Sequence, residues 1–144
     1  MSNLIAKYRA THRRIRRILE PYTAELCPQC PEPCCRKPTK VSEFDVLLAN
    51  ACGCSLPSAN DGIADLVQAG IELMTGCREE REPAPCDYLG PDGCLFPDDL
   101  RPFECARWIC PYLKRAISPH EMRQIRALLH RLRVLRRELL EAVR

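Results

Sequence analysis

The sequence predicts a small, mainly α-helical domain in which amphipathic helices at the two ends clasp a cysteine-rich loop region. Three observations carry that expectation. Leucine and isoleucine recur at three- and four-residue steps through 118–143. Arginines and apolar residues divide into opposite faces over 3–20, and eleven cysteines with thirteen prolines fill much of what lies between. No two-residue alternation of the kind a strand shows runs for any length. At 144 residues the chain has the size of one domain. It divides into an N-terminal arginine-rich helix (1–21), a cysteine-rich core (22–117) and a C-terminal helix (118–144).

Residues 3–20 are the first predicted helix. At about 100° per residue, Ile15, Ile18 and Leu19 share one face. Arg13, Arg16 and Arg17 cover the other, with Arg14 at the border. Pro21 lacks a backbone N–H and is expected to stop this helix. Residues 27–40 hold almost nothing apolar besides cysteine, so burial cannot shape them. Ser42 is placed to cap a helix running to about Ala51. A further helix is expected from Asn60 or Asp61 through Met74, with Gly76 as the residue that ends it. Gly90-Pro91-Asp92-Gly93 is turn chemistry able to fold Cys86 back beside Cys94. Asp98 and Asp99 precede an Arg101-Pro102 turn and read as helix-capping residues rather than a catalytic carboxylate pair. Ser118-Pro119-His120-Glu121 combines an N-cap, a proline at the first helical position and a capping-box glutamate. It opens a long helix to about Val143. Ile125, Leu128, Leu132, Leu135 and Leu139 line one side of it, and Leu129 widens the stripe. That stripe is expected to pack on the first helix; the alternative is a helix-mediated oligomer, a short coiled coil with another chain.

Overall charge is close to balance at +3, but its distribution is uneven: +5 over 1–20, +4 over 119–144 and −6 over 21–118. Two readings of the arginine-rich helices stay open. They are solvated faces flanking a core seam, since arginine is a good helix former, or they are a surface for RNA, DNA or an acidic partner protein. Tyr8 is the only aromatic residue in either segment, which removes most of the base-stacking part of single-strand recognition. No apolar run approaches the roughly 20 residues of a membrane span. The N-terminus has no apolar stretch of the secretory kind. The expected location is the cytoplasm.

In a reducing compartment, eleven cysteines point to metal thiolates rather than disulfides. The count is odd, and Cys34 and Cys35 are adjacent. Cys27-Pro28-Gln29-Cys30 is a C-x2-C pair, whose tight turn aims two thiolates at one ion about 2.3 Å away. Pro28, Pro31 and Pro33 stiffen that loop and lower the entropy lost on closing it. A second group comprises Cys86, Cys94, Cys105 and Cys110. Cys52, Cys54 and Cys77 stand apart from both; they are small apolar packing residues or additional metal ligands.

In this order the cysteines resemble the YkgJ-like family of bacterial and archaeal C-x2-C-x2-C-C proteins, described as zinc- or iron-chelating domains. Cys27, Cys30, Cys34 and Cys35 stand for the opening. Cys86, Leu89, Gly93 and Cys94 follow, then Arg101, Pro102, Cys105 and Cys110, so the resemblance covers 27–110. Three residues rather than two separate Cys30 from Cys34, and Gly93 directly precedes Cys94. Either departure can move a ligand by one position. The resemblance implies that the eight cysteines are metal ligands, supported by Arg101 and Pro102. It also brings one enzymatic option, because a related cluster occurs in flagellin lysine methylases.

His12, His120 and His130 all fall outside the cysteine groups, so the predicted site is all thiolate. That suits zinc or iron–sulfur and disfavours calcium and magnesium. A four-cysteine structural zinc site usually brings two C-x2-C pairs, and this chain has one. Irregular spacing and the Cys27-Pro28 and Cys110-Pro111 steps sit more easily with a [4Fe–4S] cluster, whose irons spread their ligands. The expectation is an iron–sulfur protein acting in electron transfer or in cluster delivery to a protein partner. The alternative is a structural zinc module that binds a protein or nucleic acid through its basic helices. No catalytic residue is marked: no histidine has a reason to sit beside a cysteine nucleophile, and no glycine-rich phosphate loop or methyl-donor motif is present.

Overall fold

A computed structural model describes residues 1–37, 40–57, 74 and 86–143. Apart from Met74, the expected helix over 60–74 lies outside what is described, as do the Cys77 position and the Cys35 side chain. The protein is mainly α-helical. Its frame is a pair of long helices, α1 (Ser2–Leu26) and α5 (Pro119–Ala142). They run antiparallel: Tyr22 near the end of α1 donates to Glu121 at the start of α5 at 2.5 Å, and Tyr8 near the start of α1 lies beside Arg136 toward the end of α5. Between them come α2 (Glu43–Ala51), the two-stranded hairpin β1 (Leu89–Gly90) and β2 (Gly93–Cys94), α3 (Phe103–Arg107) and α4 (Pro111–Ala116). Among the described residues no helix is long and apolar enough to cross a membrane.

The α5 stripe is buried within the chain itself. Ile125, Leu128, Leu132, Leu135 and Leu139 are all buried, most of them packed with Tyr8 and Ile15 of α1, Leu48 of α2, Leu100 and Phe103. The Ser118 Oγ accepts from the Glu121 N–H at 3.2 Å and donates to its carboxylate at 2.6 Å. Ser42 caps α2 reciprocally with Asp45, as a capping box requires.

Pro21 does not end α1. It sits inside the helix on the exposed side, and the helix continues to Leu26. An interior proline costs about 3 kcal/mol, but Tyr22 and Leu26 beyond it pack with Ile109, Leu113, Ile117 and Ile125. Burial on that face, with the Tyr22–Glu121 bond, outweighs the one lost backbone bond. Asp98 and Asp99 are not caps either, since α3 is preceded by Pro102. Asp99 takes Arg9 Nε at 2.9 Å and Arg13 Nη1 at 2.6 Å, and Asp98 takes Arg16 Nη1 at 2.9 Å. Burial pushes the Asp99 carboxyl up, but its hydrogen bonds from Arg9 and Arg13 prevail and hold it below its ordinary value. Three α1 arginines are thus engaged inside the molecule, tying the 98–101 segment to the helix.

His12 is buried on the same helix, its ring edge-on to Tyr8 at 4.8 Å. Burial lowers its pKa to about 4, with Arg101 reinforcing the shift and Asp99 opposing it. Between pH 6.5 and 4 the unfolded chain binds a proton that the folded chain refuses. Stability from this group is therefore complete above pH 6.5 and is lost as pH falls toward 4, by about 3 kcal/mol. A His12→Phe variant is expected to lose less stability than the parent between pH 7 and pH 4.5 in urea titrations. Parallel pH profiles for the two proteins would refute the assignment.

Candidate metal centre

Three segments meet around a cavity of about 380 Å³, lined by Cys34, Lys40, Cys86, Tyr88, Leu89, Cys94, Arg101, Glu104, Cys105 and Trp108. The loop after α1 supplies Cys34 and Lys40. The hairpin supplies Cys86 and Cys94 with the wall residues Tyr88 and Leu89. The approach to α3 and α3 itself supply Arg101, Glu104 and Cys105.

Local packing fixes each contributor. Gly90-Pro91-Asp92-Gly93 closes the hairpin with Leu89 opposite Cys94. Gly93 takes a φ of 117°, open to glycine and rarely to other residues. Tyr88 and Phe96 anchor the hairpin on Val46 and Ala49 of α2, their rings T-shaped at 5.1 Å. Burial, with Asp87 and Cys86 nearby, raises the Tyr88 hydroxyl pKa. On α3, Phe103 and Ala106 pack into the main core. Cys105 lies two residues from Phe103, about 200° around the helix, and so faces away from that core and lines the cavity.

Arg101 reaches the cavity because Asp98, held by Arg16, pairs with its Nη2 at 3.4 Å. The Arg101 Nε is buried and has no hydrogen-bond partner among the described residues. Pro102, fully buried, fixes the start of α3. Glu104 is paired with Arg107 at 2.6 Å.

Of the seven expected ligand cysteines whose side chains are described, four share the cavity. Cys34, Cys86, Cys94 and Cys105 line the cavity. Cys27 ends α1, and its carbonyl accepts from the Cys30 N–H at 3.2 Å. Cys110 caps α4, its Sγ accepting from the Leu113 N–H at 3.4 Å, and packs with the Ile109–Leu113–Ile125 cluster. Cys52 packs against the main core and Cys54 beneath the hairpin; neither lines the cavity. None of the nine cysteines whose side chains are described is in a disulfide. Among the described residues no three His, Cys, Asp or Glu side chains converge tightly enough to hold one ion. Among the lining residues, Glu104 is signalled in the sequence only by its adjacency to Cys105, and Lys40 by nothing local. No protein-family model, curated protein or solved structure matches this chain.

Proposed function

We propose that this protein binds an iron–sulfur cluster through Cys34, Cys86, Cys94 and Cys105 and serves electron transfer or cluster delivery to a protein partner in a reducing compartment such as the cytoplasm. The observation that carries this reading is the sharing of one cavity by four thiols drawn from three separate segments. The donor set fits the group. It is sulfur throughout, apart from a glutamate already engaged by Arg107, and sulfur donors select zinc or iron–sulfur. Four thiols spread around about 380 Å³ suit a polynuclear cluster better than a single ion, for which no three donors converge among the described residues. The order of the cysteines resembles that of YkgJ-like proteins, described as zinc- or iron-chelating, and so supports metal binding without choosing between the two metals.

The chain's own residues have definable tasks. Arg101 and Lys40 bring positive charge to a site that must hold several thiolates, lowering the cost of their mutual repulsion. The buried Arg101 Nε, without a partner among the described residues, would be available to donate to a bound cluster. Tyr88 and Leu89 form an apolar wall, which limits solvent access and so tunes redox potential. Bound there, the cluster supplies one-electron chemistry.

Anaerobically purified protein is expected to be brown, with broad visible absorption and with iron and acid-labile sulfide in equal amounts. Colourless protein containing zinc and no sulfide would overturn the iron–sulfur assignment and leave the zinc module.

A further inference from the structure

The two arginine-rich helices, alike in composition, are used differently. Arg9, Arg13 and Arg16 of α1 are committed to Asp98 and Asp99. On α5, Arg123, Arg126, His130, Arg133 and Arg137 are all exposed, and none pairs with a carboxylate among the described residues. Their steps are three, four, three and four residues. At about 100° per residue they fall in one sector roughly 80° wide, opposite the buried Ile125–Leu139 stripe. The row extends about 21 Å along the helix. Glu121 is turned inward to Tyr22, and the only other acids of α5, Glu138 and Glu141, come after the row.

We infer that this face of α5 binds the sugar–phosphate backbone of a nucleic-acid duplex without reading its bases. Arginine matches phosphate with a planar, bidentate fork and keeps its charge. The other candidate for such a face is an acidic protein. Protein interfaces are held by apolar and aromatic anchors at their centre; no large apolar side chain is exposed within the row, Leu140 and Val143 come after its end, and Trp108 and Tyr112 lie on other elements. The same absence removes base stacking, the main attraction of single strands. A row of arginines without anchors is suited to phosphate charge and little else. This inference is independent of what occupies the cysteine cavity.

Fluorescence anisotropy with short DNA and RNA duplexes of mixed sequence tests it on the full chain. Four arginines neutralising four phosphates predict a log K versus log salt slope near −3.6, roughly a 10²-fold loss between 50 and 200 mM salt. Arg126→Gln with Arg133→Gln should reduce the slope by about 2 and leave helicity unchanged, because both sites are exposed and glutamine is a good helix former. A like effect on both duplexes or on one supports the inference. Absence of binding to either duplex at 50 mM salt would overturn it. So would an unchanged slope in the double variant, or poly-glutamate bound as tightly as duplex with the same variant sensitivity.

Discussion

Replacing either Cys94 or Cys105 by serine is expected to abolish the visible absorption of the purified protein, whereas Cys52→Ser should leave it intact. The contrast follows from placement. Cys94 and Cys105 face one cavity from β2 and α3, while Cys52 packs against the main core outside it. Serine preserves size but binds soft metals poorly. The loss should extend beyond colour. Ordering free energy at a structural metal site is on the order of 10 kcal/mol, and the 27–37 segment has little apolar surface of its own. A protease-sensitivity assay should therefore show this segment cleaved faster in Cys105→Ser than in the parent. Cys110→Ser reads out the partition among the cysteines: because Cys110 caps α4 away from the cavity, absorption should persist. Retention of full iron and sulfide in both Cys94→Ser and Cys105→Ser would sink the assignment of the cavity.

The expectations that held are those set by local periodicity and capping. Ile125 to Leu139 repeat without interruption and therefore bury one face whatever they pack on, and Ser118 and Ser42 act on groups three residues away. The expectations that failed depend on distant partners. Pro21 signals a helix end, but its neighbours Tyr22 and Leu26 meet α4 and α5 nearly a hundred residues later. Asp98-Asp99 has the composition of a cap, yet α1 supplies its arginines from the far end of the chain. The centre shows the same division. Cysteine identity and spacing marked the ligand candidates, but their grouping depends on which way α3 and the hairpin are rolled. That roll is set by Phe103 seated beneath Arg136, 5.9 Å from its guanidinium, and by Tyr88 and Phe96 seated on α2. Neither contact has a local signature.

Leu132→Ala is expected to cost about 2–5 kcal/mol, the range for truncating a fully buried leucine, against a total of about 5–15 kcal/mol for a typical domain. Leu132 has no exposed surface and lies in the cluster shared by α1, α2, α3 and α5; Leu129, only partly buried at its edge, should cost markedly less. The pair separates two sources of order in the chain. The long helices carry a continuous apolar seam and hold together by burial, while the cavity's cysteines are drawn from three separate segments, one of which, 27–37, has little apolar surface to hold it. Chelation should accordingly spare most of the helical circular dichroism, and the Leu132→Ala penalty, measured by urea unfolding, should be the same within about 1 kcal/mol with and without chelator. A penalty that vanishes in chelated protein would mean that the α1–α5 seam forms only when the cysteine cavity is filled, making the metal the organiser of the whole domain rather than of its loops.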